Sequence, residues 1–242
     1  MSDDFIVERD DDITTLTVNH GDNGNRFTDE MGAEFAQLVN EASKDSRAIV
    51  FRGQGDHFCL GRAGMGSREA AAPEAYDLRN SNEVVFDAYA AFRGSKVPVI
   101  GVAQGDALGF GCALAALCDI TIAADHARFQ LPEMGHNIMP TMAMSALVDR
   151  VPRKAVMYIT YSTKMLSAER ALSFGIVSDV VSLADLESEV ENLITALKKA
   201  PMPAVMAVKE YARSAITMDT PAANDFAKNL HATVNSSSKM RG

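Results

Sequence analysis

Apolar and polar positions alternate from Ile13 to Val18 in a β-branched run, and the turn-forming stretch Asn19 to Asn25 follows. That period of two predicts a half-buried strand. From Thr28 to Ala42 the period lengthens. Met31, Phe35, Leu38 and Val39 stand at i, i+4, i+7 and i+8, one face of a helix, with Thr28 as its N-cap. Ala48 to Arg52 is a short apolar run ending at Gly53, and Val97 to Val102 is another, the pattern of strands buried on both faces. Between them Ser81 to Phe92 predicts a helix. Gly111 to Leu117 predicts a tightly packed helix of small residues, and Asp119 to Ala123 and Ala127 to Gln130 predict further strands.

From Lys154 onward the pattern is mostly helical: Arg153 to Thr160, Ser167 to Phe174, Leu183 to Lys199, Pro203 to Thr217 and Pro221 to Val234, interrupted by one strand, Ile176 to Val181. Strands alternating with helices predict an α/β fold with its strands in more than one layer. The shift divides a core at 1–181 from a helical segment at 182–242 of the same domain, a candidate assembly surface. The charge run Arg9-Asp10-Asp11-Asp12 reads as a solvated hairpin turn.

Composition narrows the class. With 242 residues, 47% hydrophobic and 23% charged, the chain has ordinary globular values, which argues against wholesale disorder and fibrous repeats. A formal charge of −9 argues against a nucleic-acid or anionic-membrane partner, though a local basic pocket for one phosphorylated ligand remains open. No apolar run reaches the length of a membrane span, and the acidic start lacks the apolar core of a secretory signal. Three cysteines (Cys59, Cys112, Cys118) make no disulfide framework, so a cytoplasmic, reducing location is expected, with Cys112 and Cys118 packing as small hydrophobes.

Several demanding motifs are absent. There is no phosphate-binding G-x-x-x-x-G-K-[ST], no G-x-S-x-G nucleophile elbow and no metal-ligand spacing among the histidines and cysteines; Leu114 occupies the third glycine position of a would-be dinucleotide fingerprint. Two glycine-rich segments remain, Phe58 to Gly64 and Gly105 to Leu114, each following a predicted buried strand, the second opening a helix. Such loops expose backbone N–H groups, and two of them facing one another can offer one N–H each to a single oxyanion. They also read simply as two tight turns. Glu133 follows a proline in the otherwise apolar Gln130-Leu131-Pro132-Glu133-Met134-Gly135, an environment that raises a carboxyl pKa and suits a general base; a surface loop glutamate is the alternative. Met134, Met139, Met142 and Met144 either shape an adaptable pocket or belong to the core, and Asp106 is read as a cap of its own turn.

The segment V-P-V-I-G-V-A-Q-G-D-A-L-G-F-G-C-A-L-A-A-L-C-D-I-T-I-A-A, followed by A-R-F-Q-L-P-E-M-G, resembles the core of the enoyl-CoA hydratase/isomerase (crotonase) family. The earlier F-C-L-G-R-A is similar to that family's F-x-A-G-x-D loop, and S-A-E-R-A-L-S-F-G-I-V-S-D-V-V to the segment before its helical tail. The resemblance implies a crotonase-like spiral of repeated ββα units with a C-terminal helical portion. It also implies an acyl-CoA substrate with no cofactor beyond the coenzyme A that the substrate carries, and a homotrimer or hexamer. Residue by residue, it implies that the thioester carbonyl sits between the backbone N–H groups of Arg62 and Phe110 and that Leu60 contacts coenzyme A. Arg26, near the family's N-A-L segment, stands where it can meet a phosphate, or is a solvated surface arginine.

The departures select among reactions. Hydratases of this family use two glutamates; the first falls at Ala113 and the second at Glu133. A lone acid at the second position resembles the Δ3,Δ2-enoyl-CoA isomerase arrangement. Ala63 replaces the family aspartate after the first loop, and Phe110 a usual glycine. His136, three residues after Glu133, opens a rival reading, hydrolysis of a β-diketone carbon–carbon bond without coenzyme A. A hydratase or lyase with His136 or Asp106 as substitute acid, and a non-catalytic binder, are the others.

Overall fold

The computed structural model describes residues 2–63 and 74–240. The chain opens with an antiparallel hairpin, β1 (Phe5–Asp10) and β2 (Ile13–Val18), whose register pairs Asp10 with Ile13 and so sets the acidic run at the bend. Helix α1 (Asp29–Asp45) follows, and the Thr28 side chain accepts the Met31 N–H as its N-cap. The next elements are β3 (Ala48–Gly53), α2 (Ala75–Ser81), α3 (Glu83–Gly94), β4 (Val99–Ala103), β5 (Ala107–Leu108), α4 (Phe110–Leu117), β6 (Ile120–Ala124) and β7 (Arg128–Gln130). Then come α5 (Thr141–Leu147), α6 (Arg153–Ser162), β8 (Leu166–Ser167), α7 (Ala168–Phe174), β9 (Asp179–Val181), α8 (Leu186–Lys199), α9 (Met202–Ala215) and α10 (Thr220–Ser236).

The main sheet has the order β1-β2-β3-β4-β6-β9, parallel from β2 onward; β5, β7 and β8 form a small second sheet. Parallel strands need cover on both faces, and side-chain alternation supplies it. Ile49, Phe51, Val99 and Ala103 point into the larger apolar cluster with Phe35 and Phe92 of α1 and α3. Ala48, Val50, Ile100 and Val102 point into a second cluster with Leu186 and Val190 of α8. Both residue parities are therefore buried, which explains the continuous apolar runs.

One expectation shifts, and β1 and α5 are elements that the pattern did not announce. The strand expected over Ile176 to Val181 shrinks to Asp179–Val181, because Gly175 turns left-handed (φ +75°) and the N–H groups of Gly175 and Ile176 close the last carbonyls of α7. The edge strand β1 is exposed after Phe5, so it lacks an apolar signature. Helix α5 lies between Pro140 and Val148 in a methionine-rich stretch with no clear period. Cys112 and Cys118 are free and buried, as expected of small hydrophobes, and Cys59 is free and buried as well. Among the described residues no helix is long and apolar enough to cross a membrane.

Candidate active site

The two glycine-rich loops leave the carboxyl ends of β3 and β4, where ligands of open parallel sheets gather. They are laced together: Cys59 N–H donates to the Asp106 carbonyl (3.2 Å) and Leu108 N–H to the Cys59 carbonyl (2.9 Å). Glycine makes that approach possible. A Cβ on Gly111 would lie 2.0 Å from the Cys59 carbonyl oxygen. Gly109 has φ +54° and ψ −116°, a backbone conformation that favours glycine. The first loop is braced by side-chain amides. Gln104 Nε2 donates to the carbonyls of Gly53 (2.7 Å) and His57 (2.8 Å), and Asn25 Nδ2 to those of Gln54 (2.9 Å) and His57 (2.7 Å).

Two amides are left over. Phe27 N–H donates to the Gly61 carbonyl and Ala63 N–H to the Phe27 carbonyl, so the intervening Arg62 N–H is turned to the other side. Phe110 is the first residue of α4, where an N–H has no partner within the helix. Among the described residues neither amide has an acceptor. The Arg62 guanidinium is occupied by Asp29 Oδ1 at 2.5 Å. The Phe110 ring turns into the core against Phe27 and Tyr89 (centroids 5.2 and 5.7 Å), which is how a bulky residue fits at the start of α4.

Glu133 comes from a single 3-10 turn, Glu133–His136, after β7. Its Oε1 lies 3.0 Å from the position a Cβ on Gly109 would take, and its Oε2 is buried without a hydrogen-bond partner. Burial pushes the Glu133 carboxyl above its ordinary value, against weaker opposition from its own backbone and from the charge of His136. Arg62, Gly109, Phe110 and Glu133 line one cavity of about 190 Å³, together with Leu60, Arg26, His136 and the apolar Val85, Met139, Met142 and Ala143. The arrangement suits proton transfer beside a developing oxyanion.

The residues expected here from the sequence are therefore brought together. Arg26 additionally donates from Nη1 to the Leu60 carbonyl at 2.6 Å, and His136 is solvent-exposed on the cavity wall. Met134 and Met144 do not line the cavity; Met144 packs on the core. Ala113 is fully buried in α4. Asp106 does not cap its own turn. It takes the Arg128 N–H at 3.1 Å and pairs with the Arg128 guanidinium at 2.7 Å, fastening β7 to the second loop. Tyr89 and the bracing Gln104 carried no warning in the sequence: Tyr89 falls on the apolar stripe of α3, and the reach of Gln104 to three carbonyls is a tertiary fact. Among the described residues no group of histidine, cysteine or carboxylate side chains is set to hold a metal ion.

Comparison with known proteins identifies the family and the fold. The chain is 29% identical over 212 residues to a probable enoyl-CoA hydratase of Mycobacterium bovis, covering 85% of this chain and 79% of that one. It is 30% identical over 210 residues to the 1,2-epoxyphenylacetyl-CoA isomerase of Escherichia coli, covering 85% and 80%. Its fold matches the crystal structure of an enoyl-CoA hydratase from Mycobacterium smegmatis with a TM-score of 0.90 at 26% identity, over 97% of this chain and 92% of that one. The expected crotonase-like fold is thus the one observed. With the enoyl-CoA hydratase/isomerase model matching residues 8–242, the chain belongs to the enoyl-CoA hydratase/isomerase family.

Proposed function

We propose that this enzyme acts on an acyl-CoA thioester and moves its double bond from C3–C4 to C2–C3, with Glu133 as the single acid–base group. The Glu133 carboxylate takes a proton from C2. The electron pair moves onto the thioester oxygen, held between the N–H groups of Arg62 and Phe110, and the enolate collapses as the same proton returns to C4. Protons and electrons balance within the substrate, so no co-reactant is required. A comparable oxyanion donor contributes about 3–4 kcal/mol to transition-state stabilisation.

The observation that carries this reading is the Glu133 carboxyl, with Oε1 beside Gly109 and Oε2 buried without a partner. Activating a water would call for a second carboxylate, and Ala113 supplies none. Leu60 and Arg26, on the same cavity wall, would take the coenzyme A portion. Assembly as a trimer or trimer pair through residues 182–242 belongs to the same reading, supported by the exposed Met206 and Val208 on α9 and by Ile216 and Met218 just beyond it.

The test offers purified protein 3-hexenoyl-CoA, 2-hexenoyl-CoA and a cyclic β-diketone, with products read by chromatography. Isomerisation of the first is expected, falling about 10²–10⁴-fold in Glu133→Gln. Isomerisation that survives this substitution removes Glu133 from its role. Diketone cleavage lost in His136→Ala replaces the reading with hydrolysis.

A further inference from the structure

Gln104 stands at the end of β4, where the chain enters the second loop, and is 8% exposed. Its Nε2 donates to three carbonyls at the root of the first loop, those of Gly53 (2.7 Å), Gly55 (3.1 Å) and His57 (2.8 Å). Among the described residues its Oε1 is buried without a partner, a cost in stability that the placement of the nitrogen must offset. Asn25 grips the same carbonyl from the other side. It is fully buried, its Nδ2 donates to the Gln54 (2.9 Å) and His57 (2.7 Å) carbonyls, and its Oδ1 accepts the His20 N–H at 3.2 Å. The Asn25 backbone is left-handed (φ +56°), a conformation that a residue other than glycine holds where its surroundings fix it, and such residues gather at functional sites. The two loops press together at this depth: a Cβ on Gly105 would lie 1.9 Å from the Asp56 carbonyl oxygen.

We infer that Gln104 and Asn25 are positioning residues for the proposed reaction: converging on the His57 carbonyl, they fix the root of the first loop against the second and so set the separation of the Arg62 and Phe110 N–H groups. This rests on the proposed function in one respect, that those two amides hold the thioester oxygen. Neither Gln104 nor Asn25 lines the cavity, so both act on the substrate through the loops alone. Beyond the clamp, the main-chain bonds of Cys59 to Asp106 and Leu108 carry the alignment on toward Arg62. Hydrogen-bond donors aimed at a developing charge lose their effect when they are displaced, which is why the spacing of the two loops bears on turnover.

The test is infrared difference spectroscopy of hexanoyl-CoA, carrying a carbon-13 label at its thioester carbonyl, bound to the full-length enzyme, to Gln104→Met and to Asn25→Gly. The first variant keeps the length of the side chain without its amide; the second keeps the left-handed corner without its amide. Hexanoyl-CoA has no double bond to move, so the complex is stable, and hydrogen bonds from two amides lower its carbonyl stretching frequency. The native enzyme is expected to show that downward shift and each variant to lose about half of it or more, with kcat for 3-hexenoyl-CoA reduced about 10–10²-fold and KM changed less than about threefold. A variant that keeps the native shift overturns the inference, and so does a rise in KM in place of the fall in kcat. Loss of the fold in both variants overturns it too, since the amides then serve the fold and not the spacing. A native enzyme that binds hexanoyl-CoA without shifting its carbonyl overturns this inference and the proposed function together. If the shifts behave as stated but the native enzyme does not isomerise 3-hexenoyl-CoA, the proposed reaction alone falls.

Discussion

A carboxylate can serve as a base only while ionised, and Glu133 is held above the ordinary carboxylate range because burial penalises its charged form. The sign of the pH dependence follows. As pH falls through the raised value Glu133 gains a proton and can no longer accept one from substrate, so activity declines on the acid side at a pH above the ordinary 4.5 of a glutamate. The profile of kcat/KM against pH reports the free enzyme. It is expected to show a single acid limb displaced upward; a flat profile down to pH 4.5 would exclude Glu133 as the base. This residue was legible in the sequence because an acid following proline among apolar neighbours is conspicuous. Tyr89 was not, since Val85, Ala88, Tyr89 and Phe92 repeat at the spacing of an ordinary core stripe and only the third dimension shows that Tyr89 lines the cavity.

Between elements, the site depends on how closely two loops approach. Lacing at Cys59–Ala107 sets the backbone of one loop against the start of α4, and the Cys59 carbonyl occupies the space a side chain at Gly111 would need. Gly111→Ala puts a carbon 2.0 Å from that oxygen, backbone against backbone, with no flexible side chain to move aside. The loops must part, and the amides of Arg62 and Phe110 part with them. The expected outcome is a loss of about 1–3 kcal/mol in stability, in the range of overpacking, with a larger proportional loss of turnover. Urea denaturation and kcat measure the two separately, and unchanged turnover would show that the loop spacing does not govern the site. At this scale the long buried strands and α1 were legible because their periods are strong. The two-residue strands β5 and β8 were not: too short to show a period, they exist only as pairings with β7.

Across the whole molecule, the C-terminal helices are joined to the sheet by charge as well as by apolar contact. Lys209 of α9 is 5% exposed and donates from Nζ to Asp119 at 2.6 and 2.5 Å and to the Phe92 carbonyl at 3.2 Å. Asp119, at the entry to β6, also accepts the Val99 N–H at 2.8 Å and has Arg150 at 3.5 Å. One carboxylate therefore ties α9 to the chain at the start of β4 and to the foot of β6. In the sequence this lysine is simply one charge on an amphipathic helix, and such charges are usually solvated; only the packing reveals it as buried. Removing one member of a buried pair leaves the other uncompensated, at about 3–5 kcal/mol, whereas removing both is far milder. Lys209→Met is expected toward the lower end of that range because Arg150 still faces Asp119. Adding Asp119→Asn keeps an oxygen for the Val99 N–H while discharging the carboxylate, so the double variant should be more stable than the sum of the single losses predicts. A double-mutant cycle in urea should return a coupling above about 1.5 kcal/mol. Additive losses would mean that α9 is held by its apolar face and that the Lys209 charge contributes nothing to the joint.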